Sequence, residues 1–227
     1  MEWGSVAEWF SGGASAAAVV VALGGYGFSE WQRARDRKDA QRTAGRQIGV
    51  KLIRILNGTN DIYQHLWKPY KGPPLGGVGA NELWRTTQPL IGLEYEPGLT
   101  LNASETDLLV KMKATDFMME MMLVTSRYQS IVSSMKDYAV RTEAINQMHP
   151  PPANMTGLIG THYLSEKDVL RLRPYSLQLE VIVQALRAMS AENIEACKKL
   201  TEQYHPLMKA YFKEPFLGLK AKVEHPE

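Results

Sequence analysis

The chain has 227 residues, 44% apolar and 22% charged. That suffices for a packed core and excludes wholesale disorder. A formal charge of +2 points to no polyanion by itself, and the single cysteine, Cys197, excludes a disulfide framework or a four-cysteine zinc site within one chain.

Residues 9 to 29 carry no charged side chain. A run of this length matches the ~20 residues a helix needs to cross a bilayer. Trp3, Trp9 and Trp31 stand at or just beyond its ends, where interfacial aromatics belong. A cleaved signal peptide starts with basic residues, whereas Glu2 and Glu8 precede or border this run and no Lys or Arg does. The expectation is a transmembrane segment over residues 1–32. A buried small-residue core helix or hairpin in a soluble protein is the competing reading. Gly13 and Ala17, Ala14 and Ala18, and Ala18 and Ala22 stand four apart. Such rows let helix backbones approach closely in lipid. With Val21 and Gly25 they form the expected helix-packing and pore-lining set, which is of use only if several copies associate.

Residues 33–54 hold eight basic residues and two acids. Lys and Arg gather on the cytoplasmic side of a span, so the chain reads as single-pass, with its N-terminus outside and everything after the span in the cytoplasm. The basic set binds anionic lipid headgroups as a minimum. If the span oligomerises, copies of Arg33, Arg35, Arg37, Lys38, Arg42 and Arg46 stack as positive rings. Rings of this kind select anions or hold a polyanion such as an oligonucleotide through its phosphates. Tyr63, Trp67 and Tyr70 are the candidate base-stacking aromatics.

Residues 33–68 read as a basic juxtamembrane helix continuous with the span. Ile48, Leu52, Ile55, Thr59, Ile62 and Leu66 make a heptad seam that Pro69 ends. A Pro/Gly-rich connector follows over 69–101, where the alternation of Ile91, Leu93 and Tyr95 can hold a small β-hairpin. A helical bundle is expected over 102–213. Asn102 or Ser104 caps its first helix, and an apolar seam from Val110 to Ile145 predicts one helix to about Gln147. Met118, Met119 and Met122 widen its apolar side. Ser165 caps the last helix, which Pro174 kinks or divides and Pro206 and Pro215 bound. Its seam passes Tyr175, Leu179, Ile182, Leu186 and Met189, slips, and resumes at Cys197, Leu200, Tyr204, Leu207 and Tyr211. Residues 214–227 read as a tail. The fold class is all-α: one transmembrane helix continuing into a bundle of three long helices.

No catalytic or metal-ligating constellation emerges. The five histidines show no i, i+4 pair, there is no phosphate-binding Gly-Lys-Ser/Thr loop, and no arginine lies four to six residues from a histidine in a ribonuclease-like arrangement. The sequence therefore implies no enzyme, no cofactor and no metal. The layout (Trp9 to Ser29, then Arg33 to Arg46, then a helical remainder) resembles the small single-span membrane effectors of bacterial anti-phage defence, such as the channel-forming effector of the Hailong system. The resemblance implies a homo-oligomeric, tetrameric anion channel in the bacterial inner membrane. A single-stranded oligonucleotide made by a partner nucleotidyltransferase would hold it closed. The alternative from the residues alone is a non-conducting membrane-anchored scaffold that recruits a protein partner.

Overall fold

The computed structural model describes residues 6–68, 82–90, 92–94, 96–148, 154–156, 159–161 and 165–213. Side chains are described from Gly25 onward, the 154–161 segment excepted. The described residues are mostly helical, with one short hairpin and non-helical connector. Four helices occur among the described residues: α1 (Val6–Trp67), α2 (Ala103–Lys111), α3 (Thr115–Met148) and α4 (Glu166–Phe212). Strands β1 (Asn154–Thr156) and β2 (Ile159–Thr161) pair antiparallel, with Met155 opposite Gly160.

All six residues of the first seam are buried, Ile48, Leu52, Ile55 and Thr59 completely. They meet α4 through Leu179, Val183, Leu186, Ile194 and Cys197, and α3 through Met121, Val124, Ile131 and Met135, in one continuous apolar core. Burial of these side chains, about 1.5–3 kcal/mol each, is what holds the three long helices together.

Two glycines of α1 have a packing reason. A Cβ on Gly49 would stand 2.7 Å from the Tyr204 hydroxyl, and one on Gly58 would stand 2.5 Å from that of Tyr128. Each glycine opens a notch for a tyrosine ring, and Tyr204 Oη reaches through to donate to Gly45 O at 2.8 Å. The helix-propensity cost of a glycine, roughly 1 kcal/mol, is accepted for close approach.

The expected single helix from Asn102 to Gln147 is instead two. Lys113 takes φ 55°. Its N–H bonds Val110 O, and that of Ala114 bonds Leu109 O, the pair of bonds of a Schellman ending. The break turns α2 so that Leu108 and Leu109 face the core, while Val110, expected on the seam, is exposed. The Asn102 cap forms as expected, with Glu105 closing the reciprocal half of a capping box. Of the alternating residues expected to hold a hairpin in the first connector, Ile91 and Tyr95 lie outside the described residues. The described part of the first connector holds 3-10 turns at Leu83–Arg85 and Pro97–Leu99 and no strand, and the hairpin lies in the second connector. Leu90 and Leu93 are partly buried and pack against the helical core.

Pro174 does not divide α4, nor does Pro206 bound it; both lie inside the helix. Tyr204, Met208 and Phe212 are buried on either side of Pro206 and hold the helix across the lost hydrogen bond. Its end comes at Lys213, in the left-handed conformation, two residues before Pro215. The seam does not slip at Met189. It runs 4-3 through Val183, Leu186, Ser190, Asn193 and Cys197, all buried. Two members are polar, so apolar periodicity passes over them. Tyr175, expected on the seam, is exposed.

Helix α1 is unbroken from the uncharged run through the basic stretch into the core. Tyr211 of α4 reaches Gln41 at 3.5 Å, and Ala44 is the first buried residue of α1 among those with described side chains. The part of α1 before residue 41 thus extends beyond the end of α4 by about 50 Å at 1.5 Å per residue. Among the described residues no helix is long and apolar enough to cross a membrane. Residues 9–24, most of the expected span, carry no described side chains.

Candidate anion-binding face

Of the expected pore-lining set, Gly13, Ala14, Ala17, Ala18, Val21 and Ala22 lie outside the residues with described side chains. Gly25 is exposed, and a Cβ placed on it meets nothing within 4 Å. Just after it, Tyr26, Phe28 and Trp31 are 68%, 61% and 57% exposed. Three large aromatics thus lie open within two turns, the Phe28 and Trp31 rings 5.9 Å apart on one face of the helix, and arginines follow at once.

The six expected anion-binding residues occupy about 20 Å of α1 between Arg33 and Arg46. Arg33 Nη1 meets Glu30 Oε1 at 2.8 Å, and Arg37 Nη2 approaches the other oxygen at 3.9 Å, so one glutamate serves two guanidiniums. Arg35 lies over the Trp31 ring, 5.7 Å from its centre. Arg42 pairs loosely with Asp39 at 3.4 Å. Arg46 is exposed. All these pairs are local to α1 and open to solvent, where an ion pair contributes about 0–1 kcal/mol. They give way readily to a multiply charged anion. Within 30–46 six cations face three acids, so the face is positive even with every pair formed.

The next two cations differ in kind. Lys51 Nζ sits 2.6 Å from Glu105 Oε2 and donates to Thr100 O at 2.7 Å. Glu105 is wholly buried, and the same oxygen accepts the Asn102 N–H at 2.8 Å. This pair joins the N-terminus of α2 to α1. Arg54 Nη2 meets Glu96 Oε2 at 2.6 Å, with both side chains about half exposed. Between these contacts and Arg46 lies a groove of about 540 Å³ along α1, closed on its far side by Pro97, Gly98 and Thr100. In the sequence Lys51 and Arg54 belong to the same basic stretch as the arginines before them. Nothing local marks Glu96 and Glu105, more than forty residues on, as their partners.

The candidate stacking aromatics are not near the arginines. Trp67 is covered by the Arg187 guanidinium at 4.4 Å and contacts Tyr63 at 5.9 Å. Arg187 also donates twice to Leu66 O, at 3.1 and 2.6 Å, closing the C-terminal turn of α1. Trp67 lies about 30 Å along the helix from Arg46. Tyr70 lies outside the described residues. Tyr63 and Trp67 belong to the corner where α1 ends. There Tyr138 Oη bonds Trp84 O and Thr87 O, and His65 Nε2 bonds Gln88 O, fixing the returning connector.

The cysteine is inert. Cys197 is completely buried, and burial pushes its thiol up to about 12. Among the described residues no group of three or more His, Cys, Asp or Glu side chains converges on a metal position. No family model matches the chain, and neither a curated protein nor a solved structure is found to match it.

Proposed function

We propose that this chain is a membrane-anchored, self-associating helical protein. The N-terminal part of α1 enters a bilayer, copies of it assemble into a pore, and the cytosolic bundle gates that pore in response to an anionic ligand held on the basic face. One observation carries the reading. The uncharged run, the exposed aromatics, the arginines and the core seam share one unbroken helix, so a change in packing or charge around 41–67 is transmitted along a rod to the span. The exposure of Tyr26, Phe28 and Trp31 supports an interface at that level, and the shared and solvent-open arginine pairs leave positive charge for a ligand. The resemblance to single-span anti-phage effectors agrees in layout and adds the oligonucleotide as the ligand to try first.

Planar-bilayer current from the purified chain, with and without short single-stranded oligonucleotides, tests this. Anion-selective current suppressed by the oligonucleotide supports it. Gly13→Leu or Ala18→Leu should abolish the current by blocking helix contact, and neutralising Arg33, Arg35 and Arg37 together should shift selectivity.

A specific observation favours a second reading, the non-conducting scaffold. Met119, Met122 and Leu123 on α3 are 60%, 55% and 42% exposed, a contiguous apolar face of the sort partner proteins cover. A silent bilayer with the protein shown to be inserted selects that reading.

A further inference from the structure

We infer that the groove between α1 and the Pro97–Thr100 turn is a binding site for a soluble phosphate ester, and that Glu96 occupies its arginine until the ligand displaces it. The inference rests on the reading of the basic stretch as an anion holder, and it locates the site.

Two rows of α1 face the groove. Thr43, Gln47 and Lys51 form one and Arg46, Val50 and Arg54 the other, each spaced i, i+4, i+8 and so lined up along the helix. Arg46 and Arg54 stand two turns apart, about 12 Å along the axis. Their long side chains can close from both ends on a group lying over Val50, which is 57% exposed. Arg46 has no ion-pair partner among the described residues. Arg54 has one, and that partner is a carboxylate, Glu96, at 2.6 Å.

No acid lines the groove itself, but two acids hold cations that do, and they behave differently. Glu105 is fully buried and tied to Lys51 and to the Asn102 N–H, so it stays. Glu96 is 40% exposed at its side chain, and its backbone opens the 3-10 turn. The turn is anchored on its other side by buried Leu99 and by Thr100 O on Lys51. Glu96 can therefore swing out while the turn holds. An exposed carboxylate–guanidinium pair is weak. A phosphate brings up to two charges and three acceptor oxygens to a fork built for bidentate contact, and it can use Arg46 as well. Departure of Glu96 removes a negative charge from beside Arg54 as the ligand's arrives, so a dianionic phosphate takes the two arginines from a net charge of +1 to neutrality.

A lipid headgroup is a poor source for that phosphate. Arg46 lies fifteen residues beyond Trp31, about 22 Å along the helix, whereas the headgroup layer is roughly 5–8 Å deep. The ligand is a soluble phosphate ester whose body lies on Val50 and Pro97. Binding also pulls the connector's Glu96 off α1, which supplies a route from ligand to helix packing.

Calorimetric titration of the full-length chain in detergent with pyrophosphate and inorganic phosphate tests the site, with phosphatidic acid in mixed micelles as the lipid arm. Pyrophosphate should bind. Arg46→Gln or Arg54→Gln should each weaken it about tenfold. Glu96→Gln should tighten it several-fold, because the internal competitor is gone; a residue whose role is only structural would not produce that gain. Three results overturn the inference: Glu96→Gln binding no tighter than the parent, equal binding by Arg46→Gln, or an effect reproduced by sodium chloride at equal ionic strength. Binding of phosphatidic acid but not pyrophosphate overturns the soluble source. Binding with a silent bilayer sinks the pore and leaves the site. Oligonucleotide-gated current in Arg46→Gln and Arg54→Gln variants, without pyrophosphate binding to the parent, sinks the site and leaves the pore.

Discussion

Replacing Lys51 by methionine tests whether the buried pair with Glu105 joins α2 to α1. Methionine keeps most of the stem and removes the charge, so packing changes little and electrostatics dominate. Glu105 is completely buried. It would keep the Asn102 N–H at 2.8 Å and lose the ammonium at 2.6 Å. Its second oxygen already has no hydrogen-bond partner among the described residues. Stranding one member of a buried pair costs about 3–5 kcal/mol. At about 2–4 °C per kcal/mol for a chain of this size, the melting midpoint should fall by roughly 8–15 °C. The assay is thermal and urea denaturation followed by helical circular dichroism. A companion variant separates charge from shape. Lys51→Met with Glu105→Gln should recover at least half of the loss, since no charge is then stranded and the amide still accepts from Asn102 N–H. A loss under about 1 kcal/mol, or a double variant no more stable than the single one, would refute the account of Glu105 as a charge that only Lys51 makes tolerable.

Gly49→Ala should destabilise by about 1–2 kcal/mol despite better helix propensity, because overpacking against a ring outweighs it. Adding Tyr204→Phe, which removes the 2.7 Å clash with the hydroxyl, should give a double mutant less destabilised than the sum of the singles in urea denaturation. Stability should be flat to about pH 9 and fall through the range up to 12. Burial raises Cys197 from 9.0 to about 12 and Tyr138 from 10.0 to about 12, so the folded chain keeps protons that the unfolded chain releases. Tyr138→Phe should flatten the part of that decline above pH 10 in a denaturation series. Asn193→Leu, which removes an amide whose Oδ1 has no partner among the described residues, should leave stability unchanged or raise it by about 1 kcal/mol in the same assay. A loss above about 2 kcal/mol would mean that its bond to Thr59, at 3.0 Å, outweighs its burial.

The seam of α1 was legible because its burying residues are apolar at helical spacing, and the caps at Asn102 and Ser165 because a cap is a local bond three residues long. The seam of α4 was misread at the point where Ser190 and Asn193 replace apolar residues, since periodicity detects hydrophobicity and not burial. The helix break at Lys113 has no glycine or proline to announce it. The left-handed turn there is set by what α2 and α3 each pack against.

The same division runs through the candidate site. Composition and order alone determined the uncharged run, the abrupt change to arginine after Trp31, and the all-helical class, because charge and 3.6-residue periodicity are properties of neighbours in the chain. Only the tertiary structure sorted eight similar cations into three kinds: solvent-open on α1, buried against Glu105, and held by a displaceable Glu96. It also took Tyr63 and Trp67 away from them to the far corner. An ion pair across more than forty residues depends on which surfaces meet and how much water they exclude, and the residues flanking a lysine carry no record of either.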